Sequence, residues 1–186
     1  YNRNLDDSSY FQGDIKELNK NIYKYKNKFK EVDLVCGGPP CQGFSMANRQ
    51  RILDDPRNGL YKAYLEFLTL TLPKFFVMEN VRGMIKGIDE ILNDFYRFLG
   101  SQYNLSYQLL NAKNFGLPQN RERLFIIGNK LNIDVNKIFT NIKKNKANRN
   151  FVLKDAIGDL PKLEPNRIKN NTKLENKNIG YFEIEY

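Results

Sequence analysis

"VDLVCGGPPCQGFS", residues 32–45, decides how this chain is read. Its first five residues form a short apolar run, the pattern of a strand buried in a parallel sheet. Two glycines, two prolines and a cysteine follow at once. Glycine lets a ligand approach the backbone, and proline holds a turn with little conformational entropy left to lose. Strand ends that carry glycine turns are where α/β folds place their ligands. Cys41 is therefore expected as an exposed, fixed thiol. Cysteine is the most ready nucleophile near neutral pH, with a free pKa of about 8.5. The alternative is a structural cysteine acting as a small buried hydrophobe, a description that suits Cys36 inside the strand.

Outward from this stretch, strand and helix patterns alternate. Residues 58–73 read as a helix, with Asn58 as N-cap, Leu60, Tyr64, Phe67 and Leu68 on one face and Pro73 as the stop. Residues 75–79 are the next strand. Residues 88–99 form an amphipathic helix with Gly100 just past its end. Residues 105–112 and 123–129 are two further strands. This order predicts an α/β fold with a parallel sheet. Beyond residue 130 the Lys/Asn-rich stretches 136–150 and 166–178 are expected as loops or mobile segments, with a more ordered segment at 151–163 between them.

Composition narrows the chemistry. The 186 residues suffice for one domain with a real core and the start of a second. A 41% hydrophobic content with no apolar run of about 18 residues argues against a membrane span. The polar first residues do not resemble a signal peptide, and a cytoplasmic, nucleoid-associated protein is expected. With two cysteines and no histidine, an ordinary zinc site and any Cys-His or Ser-His pair are excluded. Acid and base work falls to carboxylate, lysine, tyrosine or cysteine. The net charge of +9 suits a polyanion such as nucleic acid, or reflects only an Asn/Lys-biased composition.

Three further groups accompany Cys41. Glu79 ends the strand at 75–79, and adjacent parallel strand ends lie at one edge of a sheet, so Glu79 and Cys41 face one cleft; the plainer reading of Glu79 is a cap or a solvated charge. "PQNRER", residues 118–123, brings Gln119, Arg121 and Arg123 into an apolar strand. Arg121 and Arg123 point to the same side of an extended chain, as an anion-facing pair or as a solvated strand edge.

Together "GGPPCQGFS", "MENVRG" and "NFGLPQNRERLFIIG" resemble the Pro-Cys-Gln, Glu-Asn-Val and Gln-x-Arg-x-Arg motifs of the cytosine-C5 DNA methyltransferases, in the same order. "FQGDI" (11–15) and "DDPRNGLY" (54–61) resemble two more of that family's segments, and the likeness runs well from residue 11 to about 130 and weakly over 152–161. The resemblance implies a partial Rossmann-like, S-adenosylmethionine-dependent methyltransferase fold of restriction-modification type. Residues 1–130 would be the catalytic core and 131–186 the start of a target-recognition region. It implies Cys41 as the nucleophile that adds to C6 of a cytosine. Glu79 would hold N3 and the exocyclic amine, Arg123 would contact O2 and orient Glu79, and Arg121 would support them. Asp14, Ile15, Pro40 and Leu60 would lie on the cofactor side. Gln42, Ser45, Asn80 and Gln119 would lie on the side of double-stranded DNA, with the target base flipped out and Arg49, Arg51 and Arg57 of the loop 46–57 meeting phosphates.

The family's glycine-rich cofactor loop and its late motifs have no counterpart here, since the chain contains no G-x-G. The expectation is a catalytic-core fragment, inactive alone, that works with a complementary fragment or subunit. The alternatives are a transfer-RNA cytosine-C5 methyltransferase, or an inactive, split subunit that serves as a DNA-binding partner. No metal is expected.

Overall fold

In the computed structural model, residues 12–25, 29, 31–40 and 58–160 are described. Readings placed on Cys41, Gln42, Ser45, the loop 46–57 and the segment 166–178 lie outside the described residues.

Among the described residues, four strands form one sheet in the order β1-β2-β4-β3: β1 (Leu34–Gly37), β2 (Phe75–Val81), β3 (Asn104–Asn111) and β4 (Glu122–Asn129). The class is α/β as expected, with a correction to the sheet. Only β1 and β2 are parallel, paired from Leu34 with Phe75 to Gly37 with Met78. β4 runs antiparallel to both β2 and β3 and is inserted between them. The connection explains this. Residues 112–121 hold only a single 3-10 turn and a loop, shorter than the helical crossover that a parallel pair needs.

Helices α2 (Gly59–Thr71) and α3 (Ile88–Leu99) cover one face of the sheet. α2 ends where Leu72 takes a left-handed conformation with φ 42° and Pro73 follows. Asn58 stands at its N-cap position but makes no side-chain capping bond. Phe76 of β2 stacks on Phe95 of α3 with ring centroids 5.0 Å apart, and Tyr61, Leu65, Leu68, Met78, Ile91, Leu124 and Ile126 complete a closed core. Tyr103 is buried beside it and donates to the Pro73 carbonyl at 2.6 Å; burial pushes its hydroxyl up to about 12.

The opposite face carries α4 (Val135–Lys144), a second correction, since this stretch is expected as a loop. Asp134 caps it by accepting from Asn136 N at 2.9 Å. Val135, Ile138, Phe139 and Ile142 form a stripe at helical spacing that packs on Val77, Phe125 and Ile127. Lys, Asn and Thr140 fill the remaining positions, so the mean composition hides a narrow apolar face. The more ordered segment contains α5 (Leu153–Ile157), whose first turn is fixed by Val152 N donating to Asp155 at 2.7 Å.

Candidate active site

The parallel pairing of β1 and β2 sets their C-terminal ends side by side. At this edge β1 runs into the Gly-Gly-Pro-Pro turn. Gly37 passes against the ring of Tyr64, where a Cβ would lie 2.6 Å from a ring carbon, so no side chain fits there. Tyr64 is fixed by donating to the Val77 carbonyl at 3.2 Å. Burial, with a smaller contribution from Cys36, pushes its hydroxyl far above the ordinary tyrosine range. Gly38 lies against Glu79: a Cβ on it would stand 3.2 Å from Glu79 Oε2. Pro39 is buried, and its carbonyl accepts from Asn80 Nδ2 at 2.8 Å. Asn80 is itself only 5% exposed, and its Oδ1 accepts from Val81 N at 2.9 Å. Pro40 is exposed and directly precedes Cys41.

Glu79 points to the other side of β2 from Asn80. Its Oε1 is 2.9 Å from Arg123 Nε, with the two side chains 38% and 24% exposed. The register produces this contact. Arg123 stands opposite Val81 and Glu79 opposite Phe125, so the pair is diagonal across two antiparallel strands, within reach of long side chains. Arg123 Nη1 also donates to the Glu122 carbonyl at 2.8 Å. Two groups that sequence reading missed extend the network, as Arg82, just past β2, pairs with the Glu122 carboxylate at the start of β4. The signal was the acid between two arginines in "RER", which needs a cation of its own.

Arg121 is not brought to this pair. β4 begins only at Glu122, so Arg121 lies in the loop, where its N donates to the Gln119 carbonyl at 3.0 Å and its carbonyl accepts from Ala112 N at 2.9 Å. Both Arg121 and Gln119 are exposed, and among the described residues no ion pair joins Arg121 to Glu79.

Of the residues read as the cofactor side, Asp14 and Ile15 open a short helix, α1 (Ile15–Lys20), while Pro40 lies apart in the turn after β1. The helix docks on α2 through Asn19 Nδ2, which donates to the Ala63 carbonyl at 2.8 Å, and through Lys16 over Gly59. Asp14 and Ile15 thus come to the start of α2, where Leu60 sits. Asp14 caps α1 by accepting from Lys16 N at 2.8 Å and stays exposed. Among the described residues there is no cluster of three or more metal-ligating side chains, and no helix is long and apolar enough to cross a membrane.

The family profile of C-5 cytosine-specific DNA methylases matches residues 1–184. The chain belongs to that family. Among similar proteins, the type II methyltransferase M.AquIA of Picosynechococcus sp. is 41% identical over 140 residues, covering 69% of this chain and 56% of that one. The type II methyltransferase M1.HphI of Haemophilus parahaemolyticus is 40% identical over 171 residues, covering 88% of this chain and 44% of that one. A crystal structure of a DNA modification methyltransferase encoded within an E. coli prophage superposes with a TM-score of 0.62 at 31% identity, over 82% of this chain and 42% of that one. The chain spans about half the length of these relatives. In this member of the family, Glu79 lies near the C-terminal end of β2, beside the turn formed by Gly38 and Pro39.

Proposed function

We propose that this chain carries the covalent centre of a DNA cytosine-C5 methyltransferase. One observation carries the reading: Glu79 has one carboxylate oxygen anchored by Arg123 and the other beside Gly38, in the turn that leads to Cys41. A target cytosine in a duplex must leave the stack to reach this edge, at a cost of a few kcal/mol.

The chemistry runs on the flipped base. The Cys41 thiolate forms a bond to C6, and the electron pair of the C5–C6 double bond moves into the ring as Glu79 delivers a proton to N3. C5 becomes nucleophilic. Asp14, Ile15, Pro40 and Leu60 hold S-adenosylmethionine, which when bound supplies the methyl group to C5. The C5 proton is then lost to water, the C5–C6 double bond re-forms as the N3 proton returns to Glu79, and the bond from Cys41 to C6 breaks with its electron pair returning to the thiolate. Covalent attack divides one hard step into easier ones. Arg123 keeps Glu79 aimed at N3 and the amine, and Gln42, Ser45, Gln119 and Arg121 face DNA. The family of C-5 cytosine-specific DNA methylases, with type II methyltransferases among the relatives, supports DNA as the substrate.

The test is Glu79→Gln in the enzyme that contains this chain. The amide keeps the shape and a hydrogen bond to the base but delivers no proton. Single-turnover methylation is expected to fall by roughly a hundred- to ten-thousandfold. Duplex affinity, which rests on Lys and Arg contacts to phosphate, is expected to change less than about tenfold. Equal losses in both would overturn the role of Glu79.

A further inference from the structure

The last residues of β2 divide two tasks. Glu79 turns toward the open edge, while Asn80 turns inward and is spent on the protein itself. Its amide nitrogen reaches Pro39, 41 residues earlier in the chain, at 2.8 Å, and its amide oxygen holds Val81 N at 2.9 Å. Pro39 is two residues before Cys41. The same turn meets β2 a second time where Gly38 lies against the Glu79 carboxylate. A residue this buried has no edge left to read a base.

We propose that Asn80 is a positioning residue for the nucleophile: its bond to the Pro39 carbonyl fixes the turn from which Cys41 attacks, and so sets the distance from Cys41 to the acid at Glu79. This rests on the covalent reading above. Consecutive residues of one strand then carry the acid and the clip that registers the nucleophile against it. The prolines stiffen the turn internally, but only a contact from outside ties it to β2. A loosened turn costs rate rather than binding, because displacement of about 1 Å in a reacting group costs on the order of a hundredfold.

Asn80→Asp removes the donor that the Pro39 carbonyl accepts from. The carboxylate still accepts from Val81 N, but it has no hydrogen for Pro39 and turns an oxygen toward that carbonyl. Only the protonated acid donates again. In the enzyme that contains this chain, covalent adduct formation with 5-fluorocytosine DNA, at saturating DNA and cofactor, is expected to be about ten- to a hundredfold slower than wild type at pH 8. The ratio of variant to wild type should recover as the pH falls toward 6, and titration of groups common to both cancels in that ratio. Duplex affinity should stay within about tenfold. Asn80→Ala, which carries no buried charge, should show the slowing without the recovery. Adduct formation at the wild-type rate in either variant would overturn the proposal, as would slowing of both that matches a loss of duplex affinity. If wild type itself forms no adduct, the covalent reading fails instead.

Discussion

Two ion pairs stand at opposite ends of β2. At the N-terminal end Lys74 pairs with Asp33 at 2.7 Å, with side chains 50% and 77% exposed. Near the C-terminal end Glu79 pairs with Arg123 at 2.9 Å, with side chains 38% and 24% exposed. Distance does not separate them, but surroundings do. The first is a contact in water between two exposed side chains, the kind that contributes little. The second is half-buried and diagonal across the sheet. Its arginine is held again by the Glu122 carbonyl, and its acid lies against the turn before Cys41. One strand thus carries a solvated pair at one end and a braced pair at the other, where we propose the chemistry.

Arg123→Ala should break the comparison most sharply. It frees the Glu79 carboxylate, and turnover should fall by on the order of a hundredfold in single-turnover methylation, with Arg123→Lys recovering only part because lysine lacks the planar fork. If the alanine variant turns over normally, the brace does not serve the acid. Arg82→Gln removes the outer member of the network, an exposed side chain, so its cost to stability should stay below about 1 kcal/mol by denaturant unfolding, with a fall in turnover of a few-fold at most. A larger loss in turnover than that of Arg123→Ala would reverse the order of the network. Lys74→Gln should change neither the thermal midpoint nor turnover at neutral pH. The hydrogen bond and charge of Asp33 raise the Lys74 pKa above 10.5. Whatever the pair contributes is therefore present below that value and lost only as the pH rises through the raised folded value. A shifted midpoint at pH 7 would erase the contrast.

The same contrast shows what the sequence could reveal. Helices with wide apolar faces and clear stops, such as α3 with Gly100 behind it, are legible because local pattern decides them. The edge of the sheet with the Gly-Gly-Pro-Pro turn and Glu79 is legible because α/β topology brings parallel strand ends together. The direction of β4 was not, since it follows from the short 112–121 connection rather than from any strand pattern. α4 was hidden by its Lys- and Asn-rich outer face. The internal task of Asn80 was invisible because its partner is 41 residues away. Arg121 looked equivalent to Arg123 only while the extended chain was taken to run straight through both; β4 begins at Glu122 and Arg121 lies in the loop before it.

The most direct test of the central claim is trapping on DNA that carries 5-fluorocytosine at the target position, with S-adenosylmethionine present. Fluorine cannot leave C5 as a proton does, so the bond to C6 persists after methyl transfer and the adduct survives denaturation. The two cysteines provide the internal control. Cys36→Ser should trap as wild type does, because Cys36, exposed rather than buried as its sequence setting suggested, is held within β1. Cys41→Ser should trap nothing. Trapping by Cys41→Ser, or its loss in Cys36→Ser alone, would contradict Cys41 as the nucleophile.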